Sequence, residues 1–342
     1  MMVIKRLFFV TSILLAFSFY SCGEKYPEHP WEWDQDEEEP NPEITQQGWM
    51  PVSNLGELPD YIQVYKSPEK LVGKQAIAYI AVANMSKAKF EVLGDIAYSQ
   101  TANGYGGATV NTPSGFYDTS KASIVINGGL FFLSDGFYYS QNLVVRDGQM
   151  LAPNQNYYSK DWVTLWYPTL GAFCQMKDGT FKTTWTYYTS EGVNYAYPLP
   201  ADNDINKTPL AVPSASFPAG AQVLEATHAI GGVTVLLRGG EMKNTYVEEM
   251  LDISAATNQP RTAIGSTSDK RMILFVCEGR NMTANVPGLT TGDVANVMKN
   301  LGCTEALNLD GGGSSCMLVN GKETIKGSDG KQRKVLTAIG LK

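Results

Sequence analysis

Three apolar runs in this 342-residue chain each stop at a two-residue turn signal suited to a tight antiparallel hairpin. Residues 142–146 precede Asp147-Gly148, 234–238 precede Gly239-Gly240, and 316–319 precede Asn320-Gly321. Each pair supplies the positive φ that a two-residue hairpin loop requires. Four further runs, 76–83, 89–93, 122–127 and 272–278, carry the Ile, Val, Phe and Tyr content of strands. One helix is marked at both ends. Thr290 and Asp293 stand at capping-box spacing, Val294, Val297, Met298 and Leu301 share one face, and Gly302 closes the run. A second helix is expected over 245–252. Together these features predict an α+β fold: a mixed, mostly antiparallel β-sheet core with flanking helices. A Gly-Gly pair, a short gap, an apolar strand and a glycine turn recur at 128–149, 231–241 and 312–322. The recurrence is either a set of repeated hairpins in one sheet or three unrelated strands.

The charge is unevenly placed. The net charge is −7, yet nine acids and one base lie within residues 24–43, so the rest of the chain is almost neutral. No basic patch suggests a nucleic-acid surface. Lys5 and Arg6 precede a 14-residue apolar stretch, 7–20, which is short for a membrane span and reads as a signal peptide. Phe19-Tyr20-Ser21-Cys22 resembles a bacterial lipobox, which implies lipidation at Cys22, attachment to a membrane through that lipid, and a place in the bacterial cell envelope. The expected organisation is a lipoprotein signal peptide over 1–21, an acidic tether over 22–48 and one globular domain over 49–342. Within that domain, residues 157–197 hold 12 aromatics. These fit either ordinary β-sheet packing or a saccharide groove.

Candidate chemistry emerges by elimination. His228 is the domain's single histidine, and neither HExxH nor CxxC occurs, so a zinc site is not expected. A Ser–His–Asp hydrolase would have to use His228. Gly311-Gly312-Gly313 follows Asn308-Leu309-Asp310, and three glycines at a strand boundary make sense where the backbone approaches something closely. Inward-turned amides would form an anion-binding nest beside Asp310; the plainer reading is a glycine turn capped by Asp310. Glu278 and Arg280 stand at the exit of an apolar strand, either solvated or held for use. Cys277 and Cys316 lie in apolar runs, where buried free thiols are common, and Cys174 and Cys303 are candidates for a pair.

The segments INGGLFF (126–132), AIGG (229–232), RTAIGSTSD (261–269), FVCEGR (275–280), NLDGGGSSCMLVNG (308–321) and SDGKQRKVLTAIG (328–340) resemble, in order and spacing, the phosphodiester glycosidase family over about 115–340. The resemblance implies hydrolysis of a sugar-1-phosphodiester at the anomeric carbon, releasing free sugar and a phosphomonoester. It implies Asp310 and Glu278 as the catalytic carboxylates. Substrate or phosphate contacts fall on Asn127, Gly128, His228, Arg261, Thr262, Arg280, Asn308, Gly311, Gly312, Gly313, Ser314 and Arg333. No cofactor is required by this chemistry, although two carboxylates could also ligate a divalent cation. Leu130 stands where the family usually has Phe, Glu278 where Asp is common, and Cys316 where Thr is common. The alternatives are a lipid-anchored glycan-binding protein without turnover and a hydrolase of a cell-wall or capsule phosphoglycan.

Overall fold

The computed structural model describes residues 40–96, 100–101 and 104–342. The expected signal peptide, Cys22 and most of the expected acidic tether lie outside the described residues. The folded body begins earlier than residue 49. Asn41 caps the short helix Pro42–Thr45, Ile44 is buried, and the Asn41 N–H donates to the Tyr65 hydroxyl at 2.9 Å.

Three antiparallel sheets surround a common core. The largest has eight strands, in the order Met50–Pro51, Ile62–Lys66, Ala78–Asn84, Arg271–Cys277, Arg261–Thr267, Cys303–Asn308, Val235–Arg238 and Glu241–Met242. A five-stranded sheet runs Lys322–Glu323, Met317–Val319, Ile124–Asn127, Ala338–Leu341 and Phe90–Leu93. A seven-stranded sheet centres on Ala226–Gly231, flanked by Val144–Arg146 and Leu170–Met176. The reason the strand runs read as continuously apolar is visible in the largest sheet. Met272, Leu274 and Val276 face the core shared with the other sheets, while Ile273, Phe275 and Cys277 face a second core under the helix Thr291–Asn300. A strand covered on both sides has no polar face to alternate with.

The marked helix forms as expected. Thr290 Oγ1 accepts from the Asp293 N–H at 3.1 Å, and Asp293 Oδ2 accepts from the Thr290 N–H at 2.8 Å. Val294, Val297, Met298 and Leu301 are buried, and Gly302 turns the chain at φ 83°. A cap of this kind is worth about 1 kcal/mol. Elsewhere helix is scarce: the described residues are about 40% strand and 10% helix, so the class is more β-dominated than the expected α+β balance. The segment 245–252 yields only Tyr246–Glu249, because Glu249 turns inward and Met250 adopts φ 58°.

All three hairpin turns form, with both residues at positive φ in each. The recurring pattern, however, is not a stack within one sheet. Its hairpins belong to the seven-stranded, the eight-stranded and the five-stranded sheets respectively. Two of their Gly-Gly pairs, Gly128-Gly129 and Gly231-Gly232, meet where the three sheets converge. The four described cysteines, Cys174, Cys277, Cys303 and Cys316, are all free and buried, so Cys174 and Cys303 do not pair. They sit in different sheets.

Candidate active site

The convergence point is held together by backbone. Asn308 ends a central strand of the eight-stranded sheet, Asn127 ends a central strand of the five-stranded sheet, and Gly231 ends a central strand of the seven-stranded sheet. The Asp310 N–H donates to the Gly128 carbonyl at 3.1 Å, and Asn127 Nδ2 donates to the Asp310 carbonyl at 2.8 Å. Asn127 Oδ1 accepts from Thr262 Oγ1 at 2.8 Å and from the Cys316 N–H at 3.2 Å. Asn127 and Thr262 thus fix the main chain on either side of Asp310. Asn308 does similar work: its amide donates to the Val233 and Leu309 carbonyls, while its Oδ1 is buried without a partner. A Cβ on Gly129 would lie 2.5 Å from the Gly231 carbonyl oxygen, and one on Gly232 would lie 2.2 Å from that of Asn308. No side chain fits there, which is what the glycine pairs are for.

Asp310 emerges from this frame into a cavity of about 490 Å³, whose walls include Arg333, Lys334, Leu130, Phe132 and Tyr138. Its Oδ1 accepts from the Gly311 N–H at 2.8 Å. Burial pushes its carboxyl up to about 6, against the opposing pull of the Ser314 hydroxyl, the Gly311 amide and the Arg333 guanidinium. The Ser314 hydroxyl lies near enough to matter electrostatically but makes no hydrogen bond of full geometry. Arg333 is steered by Asp329, which accepts from its Nε at 2.8 Å.

The glycine triplet serves close packing more than amide donation. The Gly311 N–H is taken by Asp310, and the Gly312 N–H by the Pro260 carbonyl at 3.0 Å. Of the two readings of the triplet, the structure has the turn capped by Asp310, since two of the three amides already have partners. Gly312 needs its φ of 60°, and a Cβ there would meet Arg280 Nη2 at 2.9 Å. A Cβ on Gly313 would fall 2.1 Å from Arg333 Nη2 and 2.3 Å from Asp329 Oδ1. Two guanidinium groups, Arg280 and Arg333, thus rest directly on bare glycine backbone. Arg280 is exposed, donates to Gln259 Oε1 at 2.8 Å, and has no acidic partner among the described residues. The stretch 278–280 and the glycine loop do meet.

Three expected site residues lie elsewhere or do other work. Arg261 is buried, and its guanidinium donates to the carbonyls of Leu289, Ile253, Ser254 and Thr257 at 2.7–3.0 Å. It clamps the 253–257 loop with four of its five N–H donors and does not line the Asp310 cavity; burial lowers its pKa to about 10. His228 packs edge-on to Phe90, and its Nδ1 accepts from the Asp147 N–H at 3.4 Å. It lies three residues before Gly231 in the strand Ala226–Gly231 and lines no wall of the Asp310 cavity, and burial holds its pKa down. Glu278 is nearly buried and does not line the Asp310 cavity. Its Oε1 accepts from the Lys326 N–H at 3.0 Å, while Oε2 has no partner. It secures the start of the loop carrying Ser328, Asp329 and Arg333. Asp310 and Glu278 share no cavity wall, and among the described residues no three His, Cys, Asp or Glu side chains gather as a metal cluster.

The sequence profile of the phosphodiester glycosidases matches residues 120–342. The chain belongs to the phosphodiester glycosidase family. The matched span carries every residue of the site just described. Among solved structures, the chain resembles the catalytic domain of zebrafish N-acetylglucosamine-1-phosphodiester alpha-N-acetylglucosaminidase, auto-inhibited by its pro-peptide. The TM-score is 0.55 at 20% identity, over 86% of this chain and 87% of that one. It also resembles a hypothetical protein from Synechocystis, at a TM-score of 0.52 and 16% identity, over 82% of this chain and 62% of that one. A prophage-derived uncharacterized protein of Bacillus subtilis, YomE, is 38% identical over 80 residues, which span 23% of this chain and 12% of that protein.

Sequence reasoning did not single out Lys334, Asp329, Ser328 or Phe132. Lys334 and Asp329 flank Arg333 in a polar stretch that reads as a solvated turn until the Gly313 backbone is seen beneath it. Asn142 was also missed. Its Oδ1 accepts from the Leu130 N–H at 2.8 Å and its Nδ2 donates to the Gly232 carbonyl at 3.3 Å, joining two of the glycine pairs.

Proposed function

We propose that the protein hydrolyses a sugar-1-phosphodiester, such as an N-acetylglucosamine-1-phosphodiester, at the Asp310 cavity. The observation that carries this reading is one carboxyl, raised to about 6, sharing a cavity with Arg333 and Lys334 and adjoining Arg280 at Gly312. The bond to break is the one between the anomeric carbon and the phosphate oxygen. Its leaving group is already an anion, so it calls for cations more than for a proton donor. Arg333, Lys334 and Arg280 provide them. The anomeric carbon develops positive charge, which Asp310 meets once ionised, above about pH 6. Water supplies the hydroxyl of the released sugar and the proton of the phosphomonoester. Asn127 and Thr262 act by positioning Asp310, and Glu278 by anchoring the loop of Arg333.

The full chain incubated with methyl N-acetylglucosamine-1-phosphodiester is expected to release reducing sugar, with a rate that rises with pH through about 6. Asp310→Asn is expected to lower turnover by about 10²-fold or more, the scale of an acid–base group. Tight binding of the diester without sugar release would overturn the reading in favour of a glycan-binding protein. Lipidation of Cys22, with residence in the cell envelope, is proposed from Lys5, Arg6, the apolar run and Phe19-Tyr20-Ser21-Cys22. Incorporation of a labelled fatty acid that Cys22→Ser abolishes would support it, and equal incorporation by that variant would refute it.

A further inference from the structure

Beside the Asp310 cavity lies a larger one, of about 600 Å³, on the scale of a ligand site. The two share Phe132 as a wall. The larger cavity is faced by Phe132, Tyr139, Tyr157, Tyr158, Trp162 and Tyr188. Between these rings stand Gln141, Gln155, Asn156 and Ser159, with Asp252 as the one acid and no Lys or Arg among the described lining residues. Phe132 stacks on Tyr139 with ring centroids 5.2 Å apart and planes 18° apart, which presents a flat surface at the junction of the two cavities.

Trp162 is the telling residue. Its side chain is 86% exposed, although an indole gains most from burial. It sits at φ 61°, a conformation that bulky residues rarely adopt. The turn holding it is built by Asp161, whose carboxylate accepts from the Val163 and Thr164 N–H groups at 2.9 and 2.7 Å and from the Thr164 hydroxyl. The ring is therefore displayed at the rim by a tied-down loop. A strained backbone that displays an apolar ring is better explained by something the ring contacts than by the fold itself. The 157–197 aromatics divide accordingly: Trp166 and Trp185 are buried in sheet packing, while Tyr157, Tyr158 and Trp162 face the cavity.

We propose that this aromatic cavity binds a neutral saccharide joined to the phosphate on the side away from the released sugar. The proposal rests on the reading of the Asp310 cavity as the hydrolytic site. Flat rings pack on the C–H faces of sugar rings, and carboxamides and hydroxyls bond to sugar hydroxyls without asking for charge. The cations are confined to the smaller cavity. The charge pattern therefore places phosphate at Arg333 and Lys334 and uncharged carbohydrate at Trp162 and Tyr157.

The test compares two substrates on the full chain: the methyl ester of N-acetylglucosamine-1-phosphate, and the same sugar phosphate esterified to maltotriose. The wild type is expected to prefer the second in kcat/KM. Trp162→Ala and Tyr157→Ala are each expected to lower that preference about tenfold, the scale of losing one aromatic anchor in a binding site. Titration calorimetry with maltotriose and chitotriose alone is expected to show binding that Trp162→Ala weakens. An unchanged preference in both variants would overturn this proposal and leave the hydrolytic reading standing. Turnover of neither substrate, with oligosaccharide binding still lost in Trp162→Ala, would overturn the hydrolytic reading and keep the saccharide site. Binding of alkyl chains in place of oligosaccharide would replace the proposed occupant with a lipid and overturn it.

Discussion

Asp310→Asn should make the protein more stable while it removes activity. In the folded chain the carboxyl titrates at about 6, against an ordinary value of 3.8. Burial is the first cause, so the ionised form pays to sit in the cavity. Above about pH 6 both folded and unfolded chains carry the charge, and the native state bears the full cost of about 3 kcal/mol, from roughly two pKa units at 1.36 kcal/mol each. Asp310 is partly open to its cavity, so water screens some of this, and about 1–3 kcal/mol is the expected range. The sign follows from linkage. A carboxyl with a raised native pKa leaves stability untouched below the unfolded value and lowers it as pH rises through the native value. Asparagine keeps an Oδ1 for the Gly311 N–H and carries no charge. Thermal melts of both proteins between pH 4.5 and 8 provide the assay. At pH 8 the variant should melt several degrees higher; at pH 4.5 the gain should fall to about a third. A variant that is less stable at pH 8, or whose gain does not change with pH, would refute burial as the origin of the Asp310 shift.

Other substitutions separate the roles of neighbouring residues. Gly313→Ala sets a methyl against Arg333 Nη2 and Asp329 Oδ1, which are ends of flexible side chains. It should leave the fold within about 1 kcal/mol of wild type and cost about 10- to 100-fold in kcat/KM, the worth of one displaced charge-assisted contact; full activity would show that Arg333 does not touch substrate. Glu278→Gln keeps an acceptor for the Lys326 N–H and should reduce turnover less than tenfold, whereas Glu278→Ala should raise KM markedly; a loss of about 10²-fold in Glu278→Gln would restore Glu278 to acid–base chemistry. Arg261→Met strips four carbonyls of their donor and should lower stability by about 3 kcal/mol or more, measured by urea melts; an unaltered melt would show that the clamp is dispensable.

The chain's local signals survive into the structure where one segment suffices to decide them. The Asp147-Gly148, Gly239-Gly240 and Asn320-Gly321 turns, and the helix from Thr291, are settled by residues within a few positions of each other. The assignment of those hairpins to three sheets is not, since it depends on pairings such as Val235 with Leu307, between residues far apart in the chain. The site divides in the same way. Asp310 and the triplet were legible because only glycine tolerates the approach of Pro260, Arg280 and Arg333. Arg261 and Arg280 look alike in sequence. One is consumed by the 253–257 carbonyls and the Leu289 carbonyl, and the other is left at the surface, a difference that arises only when the intervening loops fold back. For Glu278 a place at a strand end leaves its use open, and only the family resemblance implies a catalytic role. The Lys326 N–H, 48 residues on, is what occupies it.

The central claim concerns which bond opens, and isotopic water addresses it directly. Hydrolysis of methyl N-acetylglucosamine-1-phosphodiester in ¹⁸O-labelled water, followed by mass spectrometry of both products, reads out the bond that was cut. Attack at the anomeric carbon beside Asp310 predicts the label in the liberated sugar and none in methyl phosphate. Label in the phosphate product would mean that water attacks phosphorus, and the glycosidase account of this cavity would be wrong.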